Sequence, residues 1–175
     1  RVLERRLKKT GAKYVGVDYP DWNANYEKAL ATIDRKAPDA WVDVRSLGIR
    51  TSSCDMVTCL DVLEHIDNPS IAIYNISRIL KNKGYLIICV PFFMEIHGGM
   101  DGSDDYFRYT KSGLAHLLET NGMEVVSSKY LGGFGTTLNT LISGFLIREF
   151  QFSKNALIRT FWLMVALVLI PMTLA

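Results

Sequence analysis

The sequence has little net charge and few cysteines. The low net charge argues against a nucleic-acid-binding protein, and the few cysteines argue against a cysteine-ligated metal site. Its formal net charge is +2 over 175 residues, which is too small to indicate a nucleic-acid partner. Its three cysteines, Cys54, Cys59 and Cys89, form no CxxC or Cys/His pair with the spacing of metal ligands. We therefore expect a reduced, metal-free, intracellular protein in which Cys59 and Cys89 act as small hydrophobic residues.

The sequence also begins without a signal peptide or an initiator Met, so Arg1 is not expected to be the natural start. The basic run RVLERRLKK at 1–9 is better explained as a solvated helix, stopped by Gly11, than as an RNA-binding patch. About half of the residues are apolar, which is enough to bury a core.

Strand-like and helix-like segments alternate along the chain. The predicted strands are Lys13–Asp18, Asp39–Val44, Met56–Leu60, Tyr85–Pro91 and Met123–Tyr130. The predicted helices are Val2–Lys9, Pro69–Leu80, a segment between a Thr110 cap and a Gly122 stop, and a helix or irregular connection at Trp22–Ala31. This alternation is typical of an α/β fold with a mostly parallel sheet.

The helix predicted over Pro69–Leu80 has clear end signals. Asn68 is a suitable cap, proline suits the first turn, and Gly84 follows the end of the helix. Ile73, Ile76 and Leu80 form an apolar stripe that we expect to face the core.

Chemically useful side chains follow several of the predicted strands. Sheets of this kind bind ligands beyond the carboxyl ends of their strands, where Asp18, Asp43, Asp61 and His97 all fall. A carboxylate such as Asp18 at a strand end either accepts hydrogen bonds from both ribose hydroxyls of a nucleotide or caps a turn. The position alone does not decide between these roles.

Several motifs, in order, resemble a known family. YVGVD, the strand CDMVTCLD, VLEHI, RILKNKG and a strand ending in VP resemble the class I S-adenosylmethionine-dependent methyltransferases, type 11 branch, over Lys13 to Val126. The following segment PFFMEIHGGMDGSDDYFRYT is similar to a subgroup often associated with cell-surface glycan and lipid pathways. The resemblance implies a Rossmann-like fold with helices on both faces of the sheet.

The resemblance also implies roles for individual residues. Asp18 would hold the ribose, Tyr19 would lie against the adenine, and Asp43 with Val44 would bind the adenine edge. Cys59, Leu60 and Asp61 would line the cofactor beside its methionine part. His65, the His of LEH, either contacts the site or is a buried, hydrogen-bonded residue at a helix start.

The sequence departs from this family at one place. The acidic residue and G-x-G-x-G loop that should precede the helix at Val2–Lys9 are absent. In the family, that loop follows a central strand of the sheet. Without this strand, the strand at Lys13–Asp18 loses a neighbour, and unpaired buried backbone groups are costly. We expect either a fragment of a longer protein or an altered fold.

The loop after the fourth strand contains the candidate catalytic and acceptor residues. His97, with two glycines behind it, is the candidate general base, or else it pins its loop to Asp104 or Asp105. Tyr106, Arg108 and Tyr109 are predicted to border the methyl acceptor. Arg108 alternatively pairs with one of the same two aspartates.

The tail has a different composition. Residues 1–130 are the predicted methyltransferase domain, and residues 131–175 are a hydrophobic helical extension. A stripe of Leu138, Leu141, Ile142 and Phe145 predicts a helix packed on the core. Thr160–Ala175 carries no charge, which predicts a cytoplasmic protein held peripherally on the inner face of a membrane, or a homodimer helix.

Three functions compete. The first is methyl transfer from S-adenosylmethionine to a small-molecule, glycan or lipid-linked acceptor, without a metal. The second is a non-catalytic Rossmann-like binding or scaffold domain that has lost the glycine loop. The third is a nicotinamide-dependent oxidoreductase, because an acid that ends a second strand also suits that cofactor; the LEH and RILKNKG motifs argue against it.

Overall fold

The computed structural model describes residues 9–19, 38–94, 96, 104–153, 155 and 157–165. The described residues cluster into two compact units. The first unit holds those up to Val57 together with Ser70–Tyr85, and the second holds Thr58–Pro69 and those from Leu86 onward. The helix predicted at Trp22–Ala31, and all but the last residue of the helix at Val2–Lys9, lie outside the described residues.

Strands in the described residues form two separate two-stranded sheets. β1 (Val17–Asp18) pairs in parallel with β2 (Ala40–Trp41). β3 (Cys54–Leu60) pairs with β4 (Leu80–Cys89). β1 and β2 are much shorter than the strands predicted at those places, whereas β4 begins five residues earlier than predicted.

The second sheet is also parallel. Ser53 N donates to Ile79 O at one end, and Asp61 N donates to Cys89 O at the other, so the partner numbers rise together. The strands are joined through α1 (Pro69–Ile79), whose Ile73 is completely buried. The helix stops one residue before its predicted end. Ile73 and Ile76 of the predicted stripe are buried as expected, whereas Leu80 begins β4 and is half-buried. The buried positions of α1 are Ala72, Ile73, Ile76 and Ile79.

Gly84 has a different role from the one predicted. The residue with the left-handed backbone after α1 is Lys83, at φ +62°. A Cβ at Gly84 would lie only 2.9 Å from Lys81 O and 3.2 Å from Asp55 O. The glycine is therefore needed because two backbone segments approach it closely, not because a helix ends there.

The second unit contains α2 (Lys111–Thr120) with both predicted end signals. Thr110 Oγ1 accepts from Gly113 N at 3.0 Å, and Gly122 follows with φ +79°. The strand predicted at Met123–Tyr130 is wrong, since no strand is assigned at these described residues. Met123 N donates instead to Leu118 O at the end of α2, and side chains 126–130 are all exposed, so no buried face holds this segment in a sheet.

α3 (Phe134–Phe152) forms where a tail helix was predicted, but the predicted stripe is only partly covered, because Leu141 and Ile142 are half-buried. Leu146 is the buried residue, whereas Leu138 and Phe145 of the predicted core stripe are 39% and 40% exposed. A further helical segment occupies 157–165. Within the described residues, no helix is long and apolar enough to cross a membrane.

Candidate functional site

The carboxyl ends of β1 and β2 bring together four of the predicted cofactor residues in the first unit. Asp18 is the last residue of β1, and its carbonyl accepts from Val42 N at 2.8 Å, one residue before Asp43. Tyr19 follows directly and its ring is 53% exposed. Val44 begins a short 3₁₀ helix that Asp43 caps. Two carboxylates and an open aromatic ring therefore share one strand-end surface.

Arg45 links these residues, and sequence reasoning missed it. Its guanidinium donates to both carboxylate oxygens of Asp43, with Nε at 3.1 Å from Oδ1 and Nη2 at 2.8 Å from Oδ2. The same group lies 5.9 Å from the ring centre of Tyr19 and 3.5 Å from its hydroxyl. Hydrogen bonding to Arg45 lowers the pKa of Asp43, so this carboxylate is ionised at neutral pH.

The end of β3 supplies the other three predicted cofactor residues, in the second unit. Cys59 is buried, and burial, with the charges of Glu64 and Asp61, raises the pKa of its thiol to about 12. Leu60 is 48% exposed. Asp61 has a left-handed backbone at φ +51°, a conformation that aspartate tolerates better than most residues and that clusters at functional sites.

A 3₁₀ turn over Leu63–His65, the LEH motif, follows Asp61. It is hydrogen-bonded to the segment 104–109, which contains the residues predicted to border the methyl acceptor. His65 Nδ1 lies 2.7 Å from the carbonyl oxygen of Asp104, and since a carbonyl only accepts, this nitrogen is the donor. Tyr106 N donates to the carbonyl oxygen of Glu64 at 2.7 Å. His65 is half-buried and hydrogen-bonded, in agreement with the more conservative of its two predicted roles.

Tyr109 and Arg108 are also held from within the second unit. The Tyr109 hydroxyl donates to Leu63 O at 3.2 Å, and desolvation and the Glu64 charge raise its pKa to about 12. Arg108 forms a two-pronged ion pair with Asp105, whose side chain is fully buried. This is the pairing that the sequence left open as an alternative to acceptor binding.

Glu64 is a second residue that sequence reasoning missed. It is completely buried, and its charge is one cause of the raised pKa values of Cys59, Cys89 and Tyr109. Its position inside the LEH motif was the available sequence signal. His97, the predicted base, lies outside the described residues. Among the described residues, no group of three or more acidic, His or Cys side chains could hold a metal ion.

Comparison with known protein families identifies the family of this chain. A family model described as "Methyltransferase domain" matches residues 2–128, more than half of the chain. The chain belongs to this methyltransferase family. The predicted class I membership is confirmed, and the type 11 branch fits the match. No match was found among curated proteins.

Solved structures share the Rossmann-like α/β fold of this methyltransferase domain. The complex of the Haloferax volcanii Trm112 methyltransferase activator with a protein assigned as a methyltransferase contains a chain 19% identical, at TM-score 0.54 over 76% of this chain and 61% of that one. The (4+2)-cyclase SpnF is 18% identical, at TM-score 0.57 over 83% and 53%. The PH0226 protein from Pyrococcus horikoshii OT3 is 15% identical, at TM-score 0.52 over 75% and 74%.

These likenesses show the fold alone. The methyltransferase domain described here spans 61% and 53% of the length of the first two of these structures. Its donor set fits the cofactor of its family, because it offers a carboxylate for a ribose diol, an open ring for a purine and a second ionised carboxylate at neighbouring strand ends.

Proposed function

We propose that this domain is part of an enzyme that transfers a methyl group from S-adenosylmethionine to a small-molecule, glycan or lipid-linked acceptor. The observation that carries the proposal is the grouping of Asp18, Tyr19 and Asp43 at the carboxyl ends of the parallel strands β1 and β2. Ligands bind at this edge in open α/β sheets.

In this proposal each residue has a distinct task toward the cofactor. The Asp18 carboxylate accepts from the ribose hydroxyls, the Tyr19 ring lies against the adenine, and Asp43 with Val44 binds the adenine edge. From the family resemblance, Cys59, Leu60 and Asp61 at the end of β3 are proposed to line the methionine part. The raised pKa of Cys59 keeps its thiol neutral, so the thiol itself adds no charge beside Asp61. The bound cofactor supplies an electrophilic methyl group on a positively charged sulfur.

The residues that follow β4 are proposed to bind the methyl acceptor and remove its proton. Alignment of the acceptor with the methyl group accounts for most of the rate in such a displacement, and His97 is proposed to remove the acceptor proton. Tyr106, Arg108 and Tyr109 border the acceptor. Since Arg108 is already paired with Asp105, we assign to it the shaping of this border together with any contact to an anionic group.

The alternative is a binding or scaffold domain without catalysis. The fold by itself does not decide, because a protein described as a cyclase shares it. Cofactor binding by the full-length protein separates a domain that uses S-adenosylmethionine from a scaffold that does not, and methyl transfer to an acceptor separates an enzyme from a binding domain.

The test is a thermal-shift measurement with S-adenosylhomocysteine and NAD in parallel. A ligand at one hundred times its Kd stabilises by about 2.7 kcal/mol, which raises the Tm by roughly 5–10 °C for a protein of this size. A shift with S-adenosylhomocysteine alone supports the proposal. A shift with NAD alone, or with neither, contradicts it.

We further propose that the tail associates with the cytoplasmic face of a membrane. The helical segment at 157–165 exposes apolar side chains, among them Leu157 at 80% and Met164 at 63%. Arg159 stacks at 4.6 Å on the Phe150 ring, which places a cation beside this apolar surface. Fractionation of cells expressing the protein with and without residues 156–175 tests this. A full-length protein that remains unsedimented as a discrete homodimer contradicts the membrane proposal.

A further inference from the structure

An apolar groove lies directly after β4. Four side chains line it, and the cavity measures about 260 Å³. These side chains, which define the apolar groove, are Phe92, Phe93, Met94 and Leu141. The first three follow the carboxyl end of β4, the edge at which sheets of this kind bind ligands, and Leu141 comes from α3.

The lining contains no charged group. Phe92, Phe93 and Met94 are 50%, 61% and 49% exposed, so these residues present apolar surface to solvent instead of filling a core. The volume is somewhat below the range of about 300–1,000 Å³ typical of whole-ligand pockets. It therefore suits one apolar part of a ligand whose polar part lies elsewhere.

Met94, in one wall of the groove, is held by an ion pair that lies outside the groove lining. Arg108 Nε donates to the carbonyl oxygen of Met94 at 3.4 Å, while the same guanidinium is held by the buried Asp105. The wall is therefore attached to the segment that carries the proposed acceptor residues Tyr106 and Tyr109.

The apolar surface continues beyond the groove along α3. Leu138, Leu141 and Phe145 lie on one face of this helix by their spacing, and the outer two are 39% and 40% exposed. Phe145 then meets the ring of Trp162 edge-on, with centroids 5.4 Å apart. Such an elongated apolar track matches a linear chain better than a compact ring.

We propose that the apolar groove binds the aliphatic chain of an amphipathic acceptor. The inference rests on the proposed methyl transfer and narrows its substrate class to molecules with a hydrocarbon chain. A methylene group is about the size of a water molecule, so a groove of this volume accommodates several consecutive methylenes of such a chain.

The test is calorimetric titration of the full-length protein with butyl, octyl and dodecyl phosphate, each below its micelle concentration. Burial of each methylene tightens binding by up to about fourfold. For an open groove we expect octyl phosphate to bind at least tenfold more tightly than butyl phosphate. Inorganic phosphate is the control for the head group.

Two groove variants and one matched control complete the experiment. Leu141→Lys and Phe93→Lys place a charge in the groove and are expected to abolish the preference for the longer chain. Leu131→Lys makes the same change at a residue that is 83% exposed and outside the groove lining, and it is expected to keep the preference. Phe93 is exposed, so its variant remains informative even where Leu141→Lys unfolds the protein.

Several results would overturn the inference. These are equal affinity for butyl and octyl phosphate, affinity for inorganic phosphate equal to that for octyl phosphate, or a chain preference that survives both groove variants. A groove filled by another segment of this chain or by a second copy gives the first result. S-adenosylhomocysteine binding is measured on the same samples, so a failure of the groove with the cofactor bound leaves the proposed methyl transfer intact.

Discussion

The contact between Arg45 and Asp43 allows a direct test of the cofactor surface. Arg45→Met keeps the length of the side chain but removes the guanidinium that grips Asp43 and lies over Tyr19. Arg45→Lys keeps the charge but replaces the planar fork with a point charge. The pair of variants therefore separates charge from geometry.

The expected size of the effect follows from exposure. The side chains of Arg45 and Asp43 are 40% and 29% exposed, so solvent screens much of their attraction, and the pair contributes about 0.5–1 kcal/mol to stability. If Asp43 and Tyr19 hold the adenine in the orientation that Arg45 sets, a similar amount is lost from binding. S-adenosylhomocysteine should then bind about two- to fivefold more weakly to Arg45→Met.

The stability effect has a defined pH dependence. Arg45 lowers the pKa of Asp43 below its ordinary value of 3.8. A lowered pKa in the folded state stabilises fully above the ordinary value, and this stabilisation is lost as the pH falls through the lower, folded value. Arg45→Met should therefore be less stable than the natural protein at pH 7, and the difference should vanish at strongly acid pH.

Urea unfolding at pH 7 and in acid, with calorimetric titration of S-adenosylhomocysteine at pH 7, measures both quantities. Lys81→Met is the matched control. It breaks the ion pair between Lys81 and Asp55, which lies in the same unit, at the starting ends of β3 and β4, and includes none of the proposed cofactor residues. Unchanged or tighter binding by Arg45→Met would refute the claim that Arg45 orients these residues.

Three further changes are expected to have clear outcomes. Asp18→Ala should weaken S-adenosylhomocysteine binding by about 1.5–3 kcal/mol in calorimetry; Asp67→Ala is its control, because both carboxylates accept from the next backbone N–H at 2.9 Å, and equal effects would remove Asp18 from the site. His97→Ala should lower turnover of the true acceptor by about 10²–10⁴-fold while cofactor affinity is kept; near-normal turnover would exclude a general base. Ile73→Ala should lower the free energy of unfolding by about 2–5 kcal/mol, because Ile73 is completely buried. Its control is Ile71→Ala on the same helix, where the residue is 43% exposed and the loss should be under about 0.5 kcal/mol. Similar losses for the two variants would contradict the difference in burial.

The sequence predicted elements well where the signals were local. The Thr110 cap and the Gly122 stop each act within a few residues of α2, so both were readable. The strand at 123–130 was not, because alternation of apolar residues shows only that a strand is suitable. Whether a neighbouring edge is present to bond with it depends on the rest of the chain.

The candidate site shows the same division. Asp18 and Asp43 were predicted together because parallel strands bring their carboxyl ends to one edge, a consequence of topology alone. Arg45 was missed because its contact with Tyr19 joins residues 26 positions apart, and neither residue type requires the other. Glu64 was missed because no local signal shows that the acid in this motif is buried. Its effect, which is to raise the pKa values of neighbouring side chains, depends on that burial.

The turn at Leu63–His65 has a thermodynamic consequence. It follows Asp61 directly in the chain, and its backbone and histidine hold the segment that carries Tyr106. If a cofactor at Asp61 shifts this turn, it changes the affinity for whatever lies against Tyr106. By linkage, that ligand must change cofactor affinity by the same factor. A titration of either ligand in the presence of the other would then report on both, even before the identity of the acceptor is known.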